Sequence, residues 1–161
     1  MDFPPTDTRA LAGFFAGRWS FVRTIWEGGD APQAQAEGAC EFAAGPGDGR
    51  LAYREQGRLR MLAAPAGSRP IPFTRLFDYR FDEGGVQVLF ADGERVGLPY
   101  QRYELRGNLL APAAEHICGP DCYTAAYTLD GPDGFTLETF ISGPKKRTRL
   151  LTRYRRLSDA A

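Results

Sequence analysis

Up to residue 17 the apolar positions of the chain recur at helical spacing; after it they alternate. Leu11, Phe14 and Phe15 fall on one helical face, and Asp7 or Thr8 stands where a cap can accept hydrogen bonds from the first free amides. Gly17 suits the helix end. The pattern predicts a helix over about residues 8–16, which is short enough to act as a cover or plug for something larger. In RWSFVRTI, Trp19, Phe21, Arg23 and Ile25 point one way, while Ser20, Val22 and Thr24 point the other. Similar runs follow: AQAEGACEFAA, RLAYREQGRLRML, FTRLFDYRFD, VQVLFAD, GLPYQRYEL, AEHICG, CYTAAYTLD, FTLETFISG and TRLLTRYRRL. Turn signals such as GPGDG (45–49), DEGG (82–85), ADG (91–93) and DGPDG (130–134) separate them. Asp92-Gly93 reads as a hairpin turn. No long amphipathic helix follows, and a meander of many short strands removes its exposed edges by closing on itself. The expected fold is all-β: an antiparallel up-and-down barrel of about ten strands behind a short helix, with the barrel over about residues 18–157 of a single domain, 1–161.

Composition excludes several partners. With 20 basic and 20 acidic residues the formal charge is zero, so no global field draws the chain to nucleic acid or anionic lipid. Lys145, Lys146, Arg147 and Arg149 cluster, but without the interleaved aromatics of a nucleic-acid surface; they read as a solvated hairpin tip, with Lys146 near a barrel mouth. No apolar run spans a bilayer, and the N-terminal residues lack the basic start and apolar block of a secretory signal. Three cysteines, an odd number at irregular spacing, argue against a disulfide framework. The expectation is a cytoplasmic protein with no membrane and no nucleic-acid partner.

The chain's only histidine lies in EHICGPDCYTAAY, with Cys118, Asp121, Cys122 and Tyr123. Two strands around Gly-Pro-Asp would set His116 opposite Tyr123. Cys118 and Cys122 have zinc-knuckle spacing and His116 can be a third ligand, but Cys40 is the sole other thiol. A Cys118–His116 nucleophilic pair is disfavoured, because side chains two apart on a strand run parallel. No metal and no cofactor are therefore expected. The thiols read as small hydrophobes, and His116 as either a hydrogen-bonded structural residue or one that faces a cavity. Elsewhere, polar residues share parity with apolar ones. Arg23 lies on the Trp19 face, Tyr53 and Glu55 on the Leu51 face, and Tyr154 and Arg156 on the Leu150 and Thr152 face. If those faces line the barrel, these side chains point inward, where a charge requires a partner or a ligand. Arg23 and Glu55 suit an internal pair, and Arg156 with Tyr154 suits a carboxylate or phosphate. The alternative is a structural polar network that closes one barrel end.

Gly17-x-Trp19, after a short helix and at the start of the first strand, resembles the opening of the calycins, the lipocalin and fatty-acid-binding barrels. The resemblance implies that Trp19 closes one end beneath a basic side chain from the last strand, which offers Arg149, Arg153, Arg155 and Arg156. It also implies a ligand acid group held by an arginine and a tyrosine of that strand. A longer series is similar to an uncharacterised bacterial family of calycin-like barrels. It comprises Gly17-x-Trp19 with Arg23, Leu51-x-Tyr53-x-Glu55-x-Gly57, Phe90-x-Asp92-Gly93, His116-x-Cys118-x-x-Asp121-x-Tyr123, Gly143-Pro144-x-Lys146 and Thr152-x-Tyr154-x-Arg156. That pattern carries an arginine and then a histidine after Asp92-Gly93; GERVGLPY has no histidine, which removes any mechanism that needs two.

Three functions follow as expectations. The favoured one is binding of a small, partly apolar ligand with a polar or acidic head, lined by Arg23, Tyr53, Glu55, His116, Tyr123, Tyr154 and Arg156. The second is an enzyme in the same cavity: His116 is the general acid or base, oriented by Asp121 or Glu55, and Tyr123 is a second proton donor. The third is an interaction module with a filled barrel, working as a homodimer or as a partner's subunit.

Overall fold

A computed structural model of the protein describes residues 2–114 and 116–158, and the side chains of His116 and Cys118 lie outside the described residues. Helix α1 (Thr8–Phe15) is capped by Asp7, whose carboxylate accepts a hydrogen bond from the Ala10 amide at 2.7 Å. Leu11, Phe14 and Phe15 form its fully buried face. Gly17 follows at φ 118°, a backbone conformation open to glycine, and turns the chain into the first strand.

Eleven strands follow: β1 (Gly17–Glu27), β2 (Ala34–Ala44), β3 (Arg50–Met61), β4 (Ile71–Asp82), β5 (Gly85–Phe90), β6 (Pro99–Arg106), β7 (Leu109–Pro112), β8 (His116–Cys118), β9 (Asp121–Gly131), β10 (Gly134–Gly143) and β11 (Lys146–Arg156). Every pairing is antiparallel, and β1 pairs with β11 from Trp19↔Arg156 to Glu27↔Thr148, which closes the sheet. Among the described residues ten strands make the ring, and β8 pairs only with β9. The expected barrel of about ten strands with one short N-terminal helix is what the chain forms.

Two details differ from the sequence reading. The run AEHICG is not a full stave. The stave beside β9 begins earlier, at Leu109–Pro112, and pairs there with Tyr127 and Thr128. It then leaves the ladder and resumes as β8, opposite Asp121, Cys122 and Tyr123. Pro112 has no amide to continue the ladder, and two alanines give the pattern no alternation to read. Asp92-Gly93 is not a two-residue hairpin either. It opens a 3₁₀ turn (Gly93–Arg95) in a longer connection, and the Asp92 carboxylate accepts from the Leu76 amide at 3.1 Å.

The inward parity of the strands is the expected one. Trp19, Phe21, Arg23, Tyr53, Glu55, Thr152 and Tyr154 are all buried. Gly57 faces Gly38 across β2 and β3, and a Cβ on Gly57 would stand 2.7 Å from the Phe73 ring and 3.0 Å from the Phe21 ring. The glycine thus lets two aromatics close over the backbone.

The two ends of the barrel are filled differently. At the α1 end, Phe14, Phe15, Trp19, Phe42 and Phe135 interlock, with Trp19 edge-on to Phe135 at 4.7 Å between centroids and Phe15 edge-on to Phe135 at 5.1 Å. The Trp19 indole N–H donates to the Phe15 carbonyl at 2.9 Å and so satisfies one of the carbonyls left free at the helix end. Above this aromatic floor the interior opens.

Candidate ligand-binding site

The floor continues upward into a layer of phenols. Tyr154 stacks on Phe135 (4.2 Å, 11°), and its hydroxyl lies 3.5 Å from that of Tyr53. The Tyr79 and Tyr127 hydroxyls share a 2.6 Å hydrogen bond. Burial pushes Tyr53, Tyr79, Tyr103 and Tyr127 well above 10, and Tyr154 up to about 12. All five remain phenols at neutral pH and keep a proton to donate.

The expected internal pair forms one level higher. Arg23 donates from both terminal nitrogens to Glu55, at 2.7 and 3.0 Å, and from Nε to the Thr152 hydroxyl at 2.8 Å. Tyr53 donates to the same carboxylate at 2.6 Å. Burial acts to raise the Glu55 pKa, but the Arg23 hydrogen bonds, the Arg23 and Arg75 charges and the Tyr53 hydroxyl outweigh it and hold the group below its usual range. Burial likewise acts to lower the Arg23 pKa, and Glu55 overrides it, so Arg23 is raised. Both groups are charged at neutral pH. The sign for stability follows. A carboxyl depressed in the folded state contributes in full above its unfolded value, near 4.5, and that contribution is lost as pH falls through the folded value. Melting curves from pH 7 to 3 should show wild type losing stability below about pH 4.5. Glu55→Gln should start lower at pH 7 and fall less steeply; an unchanged slope contradicts the assignment.

Around and above this network lies a cavity of about 200 Å³. Its charged lining residues are Arg23, Glu55 and Arg75. Phe77, Tyr79, Tyr100, Tyr103, Tyr123 and Tyr127 supply aromatic walls, and Val88, Leu137, Ile141 and Leu150 supply aliphatic ones. Arg75 stands at the solvent side, its side chain 41% exposed. Its guanidinium packs 5.1 Å from the Phe77 centroid and lies 3.9 Å from Glu55, a carboxylate already occupied by Arg23. The Arg75 side chain makes no hydrogen bond among the described residues, only this 3.9 Å ion pair. Tyr103 is 2% exposed, and its hydroxyl also has no hydrogen-bond partner among the described residues.

Comparison with known proteins adds the family. A model of a family of unknown function (DUF6314) matches residues 15–156. The chain belongs to that family. No curated protein matches it. Among solved structures, this DUF6314 barrel is similar to the S-type phycobiliprotein lyase CPES from Guillardia theta, with 9% identity, TM-score 0.70, and coverage of 96% of this chain and 95% of that one. It is also similar to a protein of unknown function of the DUF3598 family from Nostoc punctiforme, with 13% identity and TM-score 0.59. That match covers 91% of this chain and 49% of the other. At such identities the likeness is one of fold.

The DUF6314 barrel brings together Arg23, Tyr53, Glu55, Tyr123 and Tyr154, all on the cavity. Arg156 is placed apart from them. It sits at the α1 end, its guanidinium 4.2 Å from the Trp19 centroid and 5.5 Å from that of Phe14. It donates to the Phe14, Ala16 and Pro132 carbonyls and to Asp133. The end-closing pair implied by the calycin resemblance is therefore Trp19–Arg156, and Arg156 is not available to a ligand in the cavity. Arg156→Gln should cost about 1–2 kcal/mol through the lost stacking, read as a lower urea midpoint, and should leave ligand affinity unchanged; a large affinity loss with intact stability would contradict this placement.

The His116 side chain lies outside the described residues; its backbone pairs with Tyr123, the partner that the turn suggests. Asp121, the candidate orienting residue, pairs with Cys118 beyond that point and does not line the cavity. Both Glu55 oxygens already accept hydrogen bonds, which disfavours Glu55 as a partner for His116. Cys40 is buried on the interior, and burial pushes its thiol up to about 12, which suits a small apolar filler rather than a nucleophile.

Among the lining residues that escape the sequence reading, the two polar ones that bear most on the site are Arg75 and Tyr103. A signal for Arg75 exists, because it shares parity with Phe73, Phe77 and Tyr79 on one strand. Tyr103 shares its face with Gln101 and Leu105, too mixed a face to mark as interior.

Proposed function

We propose that the protein binds a small, partly apolar ligand with a polar or acidic head inside the barrel. The observation that carries this reading is a pair of donors, Arg75 and Tyr103, whose side chains make no hydrogen bond among the described residues, on a largely apolar cavity. A buried hydroxyl without a partner is unfavourable by about 1–3 kcal/mol, and a bound acceptor removes that cost. The guanidinium fork of Arg75 suits a carboxylate or phosphate. Arg23 and Glu55 neutralise each other and act as a rigid polar wall that keeps Tyr53 and Thr152 in position. Tyr53, Tyr123 and Tyr154 complete the lining, with His116 a candidate at the Tyr123 side. The likeness to the lyase supports the barrel alone.

Native mass spectrometry of protein purified from its own host tests the reading. The expected result is a fraction carrying a small retained mass that is lost from Tyr103→Phe and from Arg75→Met. Only the bare chain mass under gentle conditions, with no small molecule that binds in a screen, would overturn it.

A further inference from the structure

We propose, building on the cavity reading above, that the ligand is a one-ring aromatic carboxylate, with its acid group on Arg75 and Tyr103 and its ring among the interior tyrosines. Three observations point there. The first is volume. The cavity of about 200 Å³ exceeds the roughly 150 Å³ that accommodates benzene and falls short of the roughly 300 Å³ at which pockets for drug-sized ligands begin. It takes a single ring with one substituent and excludes a long acyl chain.

The second is charge. Among the described lining residues, Arg23 and Arg75 are cationic and Glu55 is anionic, a formal excess of one positive charge. Arg23 and Glu55 are closed on each other at 2.7 and 3.0 Å, so the excess resides on Arg75. A monoanion balances it. Arg75 is half-exposed, so the anion sits at the mouth, where its desolvation is partial. Arg75 and Tyr103 line the same cavity of about 200 Å³, so an anion held there is offered both donors.

The third is the wall. Tyr79, Tyr103 and Tyr127 already pack on one another edge-on or through hydroxyls, with Tyr103 and Tyr127 at 4.9 Å and 74°. An inserted aromatic ring finds edges and faces at the spacing that such rings prefer. An aliphatic chain gains only contact area there.

The experiment is calorimetric titration of the intact protein with sodium benzoate, benzyl alcohol and sodium octanoate, on wild type, Arg75→Met and Tyr103→Phe. Benzoate is expected to bind more tightly than octanoate. Arg75→Met should weaken benzoate about tenfold or more, from loss of charge-assisted hydrogen bonds, and leave the neutral alcohol within about twofold. Tyr103→Phe should weaken benzoate several-fold, a second test that does not depend on how Arg75→Met folds. If octanoate or the alcohol binds but benzoate does not, or benzoate ignores both substitutions, the aromatic-acid class is overturned and the cavity reading stands. If none of the three binds wild type, the aromatic-acid class is overturned, and the retained-mass measurement above decides the cavity reading separately.

Discussion

Arg23→Met should destabilise the barrel by about 3–5 kcal/mol, the usual consequence of leaving one member of a buried ion pair without its partner. Arg23 and Glu55 are 5% and 1% exposed, and the guanidinium supplies two of the short hydrogen bonds to the carboxylate. Tyr53 and the distant Arg75 remain after the substitution, but neither reproduces a bidentate contact. Adding Glu55→Leu to Arg23→Met should restore most of the loss, since an apolar pair of similar volume is often neutral or better. Urea unfolding of the two variants measures both values. A single substitution that costs under about 1 kcal/mol would place the pair in a solvated environment, contrary to its burial.

The second large effect is expected at the closed end. Trp19→Ala should cost about 3–5 kcal/mol, the range for removing a large buried aromatic. Trp19 is fully buried, packs on Phe14 and Phe135, and joins α1 to the barrel through its bond to the Phe15 carbonyl. Trp19→Phe keeps part of the ring but leaves that carbonyl without its donor and narrows the surface under Arg156. Because Trp19 and Arg156 touch, Trp19→Phe and Arg156→Gln should be non-additive by about 0.5–2 kcal/mol in a double-mutant cycle. Strict additivity would mean that the stack contributes nothing.

Most of the fold can be read from period. Alternation in nine of the runs, with glycine, proline and aspartate between them, is sufficient for strands, hairpins and the need to close. The failure at Leu109–Pro112 is local: a four-residue strand with a proline and an alanine carries too little alternation to register. The interior pair Arg23–Glu55 is legible because each lies in phase with apolar neighbours on a different strand. The split between the two barrel ends is not. Arg156 and Tyr154 share a strand and a parity, yet one meets Trp19 and the other the cavity. Height along the barrel axis depends on strand register and tilt, which no pattern within a single strand encodes. The same limit hides Arg75, whose phase is visible but whose neighbours, Glu55 across one ladder and the cavity mouth above, arise only from register.

A high-resolution crystal structure of the protein purified from its own host tests the central claim, that the upper barrel is a ligand site. The account predicts density inside the cavity with an acceptor within hydrogen-bond distance of both the Arg75 guanidinium and the Tyr103 hydroxyl. A barrel whose upper half is packed solid by its own side chains, with Tyr103 hydrogen-bonded to protein and Arg75 turned to bulk solvent, would contradict it.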